Sequence, residues 1–201
     1  MESRNRIIEG AAELFRTYGI KSVTMDSLAN HLGISKRTIY ELFSDKEELL
    51  AGVLNWMAEK QKGLIKRVME DSENSMVAIF KLLEFNMNHF QEMSPAFQAD
   101  MRRYHHDIMM KKSGRYEIMD YRDNIQLIER GIKEKLFRKE INPDLVNRCL
   151  YSIVRSIMDQ DLYSFEQFTR REIIQNTFIN YLRGISTVGG LTLINKLENG
   201  F

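Results

Sequence analysis

Thr24-Met25-Asp26-Ser27-Leu28-Ala29-Asn30-His31-Leu32-Gly33-Ile34-Ser35-Lys36-Arg37-Thr38-Ile39-Tyr40-Glu41-Leu42-Phe43 places apolar side chains at 28, 29, 32, 34, 39 and 42. This is the three-and-four spacing of helices, not the two-residue alternation of half-buried strands. The Thr24 hydroxyl can cap one helix and the Ser35 hydroxyl a second. Gly33 between them supplies the positive φ that a three- to four-residue turn needs, and Ala29 is small where the two helices cross. The stretch therefore predicts a helix-turn-helix whose second member protrudes, with Ile39, Leu42 and Phe43 facing inward. Ser35, Lys36, Arg37, Thr38, Tyr40 and Glu41 face out, polar or basic groups able to meet phosphates and base edges in a major groove about 12 Å wide. The plain alternative is a packed helix pair without function. A small residue, a turn glycine, a cap and outward cations coinciding at one place weigh against it.

The rest of the chain is helical in pattern. Upstream, Ile7, Ile8, Ala11, Leu14, Phe15 and Tyr18 form one face of a first helix closed by Gly19. Downstream, Ser44-Asp45-Lys46-Glu47 is a Ser-x-x-Glu capping box opening a long fourth helix that runs toward the polar break at 71–74. Further helices are expected near 75–91, 95–104, 106–136, 143–163 and 170–186, with a tail helix around 191–198. Both prolines, Pro95 and Pro143, follow capping residues, and Thr169-Arg170-Arg171-Glu172 is another capping box whose helix is expected to end near Gly189-Gly190. The fold class is all-α, with an N-terminal three-helix head over 1–46 and a larger helical body over 47–201.

Charge alone does not reveal a polyanion partner. The 201 residues carry 29 Lys+Arg and 28 Asp+Glu, a net charge of +1. Residues 1–50 hold seven Lys/Arg and eight Asp/Glu, a balance of minus one, so affinity for DNA must rest on placement. The longest stretch without Asp, Glu, Lys or Arg is Gly184–Asn195, twelve residues, short of the roughly 18 or more of a membrane span. With no secretory apolar core near Met1 and one cysteine, Cys149, a soluble cytoplasmic protein is expected.

The segment Ile7 to Leu50 resembles the DNA-binding head of the TetR family of bacterial transcriptional regulators. The likeness is carried by Ala11-Ala12-Glu13-Leu14-Phe15, Tyr18-Gly19-Ile20, Val23-Thr24-Met25, Leu28-Ala29, Leu32-Gly33-Ile34-Ser35-Lys36-Arg37-Thr38-Ile39-Tyr40, Phe43 and Lys46-Glu47-Glu48-Leu49-Leu50. The resemblance implies that Thr24, Tyr40 and Lys46 grip phosphates of double-stranded DNA while Lys36, Arg37 and Thr38 sit nearest the bases, with Ser35 capping the reading helix. Arg37 stands where many members have glycine, so base contact and phosphate contact remain alternatives for it.

One small helix-turn-helix covers little DNA, and readers of this type bind as two-fold dimers with half-sites roughly 34–36 Å apart. A homodimer on an inverted-repeat operator is expected. Apolar stripes after Pro143 and Thr169 are broad enough to face a core and a partner. The resemblance places a dimer bundle there, with Leu150, Val154, Ile157, Ile174, Phe178 and Leu182 as candidates and closure of the chain's own core as the alternative. Twelve Met and eleven Phe suggest an adaptable apolar interior. The resemblance implies a small-molecule effector in the body that alters DNA affinity. Candidate wall residues are Phe85, Met87, His89, Phe90, Phe97, Met101, Tyr104, Tyr121 and Arg155, the last able instead to pair with Asp159 or Glu166. The runner-up is a regulator without an effector, its body serving dimerisation or a protein partner.

An enzyme or metal protein is the rival class. No Glu-x-x-His of di-iron bundles precedes His31, His89, His105 or His106, and His105-His106 lie beside Arg102 and Arg103, a setting poor for a metal. No nucleophile elbow or phosphate-binding glycine loop occurs, and Cys149 is expected as inert core. No catalytic residue, metal or cofactor is assigned.

Overall fold

The computed structural model describes residues 2–101, 124–157, 159 and 162–198. Among them the secondary structure is helical apart from one isolated antiparallel bridge, Phe137 to Ser186. The helices are α1 (Glu2–Tyr18), α2 (Met25–Leu32), α3 (Lys36–Tyr40), α4 (Lys46–Asp71), α5 (Ser75–Gln91), α6 (95–101 in its described part), α7 (Ile125–Lys133), α8 (Pro143–Ile157), α9 (Arg170–Ile174), α10 (Asn180–Ile185) and α11 (Val188–Leu197). Tyr104, His105, His106, Tyr121, Met158 and the side chain of Phe90 lie outside the described residues, as does most of the helix expected over 106–136.

The chain divides into two compact units. The first runs through Gln61 and takes up the chain again from His89, so it is wider than the expected 1–46. Its core explains the difference. Ile7, Ile8, Ala11 and Phe15 of α1 pack with Leu28 of α2, Ile39 of α3 and Phe43, and the layer is closed by Leu49, Leu50 and Val53 of α4 and by Phe97 of α6. Burying a Phe of this kind contributes about 1.5–3 kcal/mol, so α6 belongs to the head energetically. Ser94 caps α6 by accepting from the Phe97 amide at 3.1 Å, and its own amide donates to the Arg16 carbonyl at 3.0 Å.

Three local expectations are corrected. Leu42 is 36% exposed because α3 ends at Tyr40 and the chain leaves the helix before Leu42 can take the inward position. Tyr18, the last residue of α1, is 61% exposed. The box opening α4 is shifted by one residue: Asp45 Oδ1 accepts from the Glu48 amide at 2.7 Å, and Glu48 Oε2 reaches back to the Ser44 amide at 2.7 Å.

The second unit comprises Lys62–Asn88 and the chain from Asp120 onward. Met76, Ile79, Phe80 and Leu83 of α5, Leu127 and Ile128 of α7, Leu150 and Ile157 of α8, and Ile174, Phe178, Ile179 and Leu182 are buried together. α8 ends at Ile157, short of the expected 163. The helix after Thr169 is not uniform: α9 passes into α10 through a π-helical turn, Gln175–Ile179. That wider turn lets two apolar pairs five residues apart, Ile173-Ile174 and Phe178-Ile179, face the same core. The helix stops at Ile185, not near Gly189-Gly190. The Arg138 amide donates to the Ile185 carbonyl at 2.9 Å and Ser186 pairs with Phe137, so both glycines fall inside α11.

Candidate nucleic-acid interface

Local forces fix the pose of α3 within the head. Thr24, extended at φ −106°, accepts from the Ser27 amide at 3.0 Å and starts α2. Gly33 at φ 65° ends it, and the Ile34 amide closes back on the Ala29 carbonyl at 3.0 Å. The Leu32 carbonyl at the C-terminal end of α2 accepts from Arg6 Nη2 at 2.9 Å. Ser35 then caps α3, its Oγ accepting from the Thr38 amide at 3.1 Å and lying 2.9 Å from Thr38 Oγ1. Ile39, fully buried, anchors the helix from beneath.

That anchoring leaves Lys36, Arg37 and Tyr40 exposed, Tyr40 at 45% and the Arg37 side chain at 88%. Each cation of α3 has an acidic partner. Arg37 Nε donates to Glu41 Oε1 at 3.0 Å, one helical turn on. Lys36 Nζ donates to Asp26 Oδ2 of α2 at 2.8 Å, and that hydrogen bond raises the Lys36 pKa above its ordinary value. Lys46 is half-buried at the start of α4. Its ammonium donates to the Val23 and Lys21 carbonyls, beside the cap of α2, and burial lowers its pKa against a weaker opposing pull from Asp100.

All seven residues expected at the DNA face thus lie in the head, on the α2 cap, on α3 with its own cap, or at the start of α4. The Arg37–Glu41 pair was not read from the sequence, although its i,i+4 spacing carries the signal. Asp26 as partner to Lys36 was missed, since ten residues of separation across a turn leave no sequence signal.

The residues expected to wall an effector site fall in both units. Met87 is buried in the second unit's core and Phe85 is half-buried, whereas Phe97 and Met101 pack in the head's core. His89 is half-buried, 3.7 Å from Glu92; burial first, then Arg16, lowers its pKa. Arg155 is exposed. A groove of about 430 Å³ in the second unit is lined by Lys62, Ile65, Lys66, Met69, Glu70 and Gln126, none of them an expected wall residue. Leu150, Ile157, Ile174, Phe178 and Leu182 are buried in their own unit's core and Val154 is half-buried against it. On the outer side of α8, Leu145 and Cys149 are exposed. Cys149, expected as inert core, is instead exposed on the outer side of α8 near Tyr181, whose hydroxyl is pushed up to about 12 by burial and by that thiol. Among the described residues no group of three His, Cys, Asp or Glu could hold a metal ion, and no helix is long and apolar enough to cross a membrane.

Known proteins resemble this arrangement. The family model for bacterial regulatory proteins, tetR family, matches residues 7–53. The HTH-type transcriptional regulator YhgD of Bacillus subtilis is 33% identical over 93 residues, 44% of this chain; the match spans about half of that relative, 49% of its length. The HTH-type transcriptional repressor KstR2 of Mycobacterium tuberculosis is 24% identical over 160 residues, 73% of this chain and 75% of the repressor. Among solved structures, a gamma-butyrolactone receptor described as ArpA-like superposes with a TM-score of 0.63 at 20% identity, covering 100% of this chain and 98% of that one. With the helix-turn-helix, its caps and its outward cations in place, residues 7–53 form a DNA-binding head of the tetR family of bacterial regulatory proteins, and the chain beyond them is similar to transcriptional regulators that carry such a head.

Proposed function

We propose that this regulator is a repressor that binds an inverted-repeat operator as a homodimer and releases it when the body takes up a small effector. The observation that carries the DNA half is α3 itself: Ile39 is buried beneath it while Arg37, Lys36 and Tyr40 stand in solvent. Thr24, Tyr40 and Lys46 would set register on phosphates, and Lys36, Arg37 and Thr38 would meet base edges. Ser35 acts indirectly, by capping α3. The repressor role is supported by the likeness to KstR2, and the effector by the likeness in fold to a gamma-butyrolactone receptor. An effector can shift DNA affinity only by preferring one arrangement of the two heads over the other.

Selection of bound fragments from random duplex DNA tests the reading. Enrichment of an inverted repeat supports it, and failure to enrich any sequence at moderate salt overturns it. Titrating candidate small molecules against the selected duplex tests the effector: release of DNA is expected, and tight binding without any change in DNA affinity would favour a body that serves only dimerisation.

A further inference from the structure

Arg37 and Glu41 share one exposed side of α3, four residues apart, and their contact is specific in its atoms. Glu41 Oε1 takes the Nε hydrogen of Arg37 at 3.0 Å. Among the described residues no hydrogen bond or ion pair engages the two terminal Nη groups, and the side chain is 88% exposed. A guanidinium presents its five hydrogens as a planar fork, so fixing the Nε edge also fixes the plane in which both Nη groups lie. Guanine offers O6 and N7 as a matched pair of acceptors in the major groove, and reading them takes two donors held in one plane. A phosphate makes no such demand, since a swivelling cation satisfies it.

Glu41 also biases where Arg37 goes. Its side chain is 59% exposed beside the reading face, where a carboxylate repels the phosphate backbone and discourages a purely electrostatic hold. The other cation of α3 is restrained in the same sense, Lys36 being paired with Asp26 at 2.8 Å.

We propose that Glu41 is a positioning residue that makes Arg37 a guanine reader, by holding its Nε edge so that the Nη pair faces O6 and N7, and that it lowers affinity for DNA of arbitrary sequence. The proposal rests on the reading of α3 as the DNA-contacting helix and resolves the choice between base and phosphate for Arg37. The experiment is selection from random duplex DNA with the full-length wild type, Arg37→Ala, Glu41→Gln and the double variant, followed by titration on a selected and a scrambled duplex at several salt concentrations. The wild type is expected to require guanine at one position per half-site, and Glu41→Gln to lose that preference about tenfold. Glu41→Gln should also bind scrambled duplex more tightly, with a salt slope steeper by about one. The double variant should show no less guanine preference than Arg37→Ala alone, the two residues acting as one unit. A merely structural i,i+4 pair would move the melting temperature and leave the preference alone, so Glu41→Gln retaining it overturns the proposal. Equal weakening on all sequences by Arg37→Ala overturns it too, by making Arg37 a phosphate ligand. A wild type that enriches nothing fails the underlying reading as well.

Discussion

Lys46, proposed as a phosphate ligand, is also tied into the fold of the head. In the free chain its ammonium bridges the carbonyls of Lys21 and Val23, tying the α1–α2 turn to the start of α4. Those carbonyls sit beside Thr24, another residue expected on a phosphate, so a Lys46 that holds DNA would exchange a carbonyl for a phosphate oxygen there. Lys46→Ala is therefore expected to weaken binding evenly across sequences and to make the salt slope shallower by about one, read by anisotropy titration at several salt concentrations. An unchanged slope would confine Lys46 to the turn. Gly33 and Gly19 make a second residue-level contrast. Both hold positive φ, at 65° and 85°, but a Cβ at 33 meets nothing within 4 Å, whereas at 19 it would lie 2.9 Å from the Ala96 Cβ and 3.3 Å from the Ala96 backbone carbon. Gly33→Ala should cost about 1 kcal/mol in urea denaturation, the backbone penalty alone. Gly19→Ala should cost clearly more, because α6 must shift.

Elements of this molecule are legible in sequence where a side chain announces their ends. Thr24, Ser35, Ser94, Asn142 and Thr169 all cap the helices their positions suggested, because a cap is a bond between residues two or three apart. The π-helical turn was not legible, since the pair spacing that requires it, 173-174 to 178-179, only acquires meaning once both pairs must reach one core. Likewise the clamp between α4 and α7 joins residues some sixty apart. Arg130 donates to the Met69 and Ser72 carbonyls at 2.6 and 2.9 Å and to Glu134 at 2.7 Å, and Glu134 caps α5 through the Ser75 amide at 2.8 Å. Burial works against the charge on Glu134, but the Ser75 bonds and the Arg130 guanidinium outweigh it and hold the carboxyl below its ordinary 4.5. Its folded pKa being depressed, its stabilisation is complete above pH 4.5 and is lost as pH falls through the folded value. Glu134→Gln should cost about 1–3 kcal/mol at neutral pH. The deficit against wild type, followed by urea denaturation, should shrink on acidification.

At the scale of the molecule, a chain with 29 cationic and 28 acidic side chains cannot hold DNA by its overall field. Binding must come from a few placed groups on each head, and one such head covers little DNA. The homodimer proposed for this regulator supplies the second set and imposes a geometric condition. Two heads fixed by one body must meet half-sites on the same face of the duplex, about one turn of 10–10.5 base pairs apart or a multiple of it. Inserting five base pairs between the half-sites of a selected operator turns one of them to the far side. The loss of binding, read by mobility shift, is expected to approach the affinity for scrambled duplex, a drop of about a thousandfold or more. Retained binding would mean that each copy reads DNA alone, and the two-fold arrangement would fall while the head's own chemistry stood.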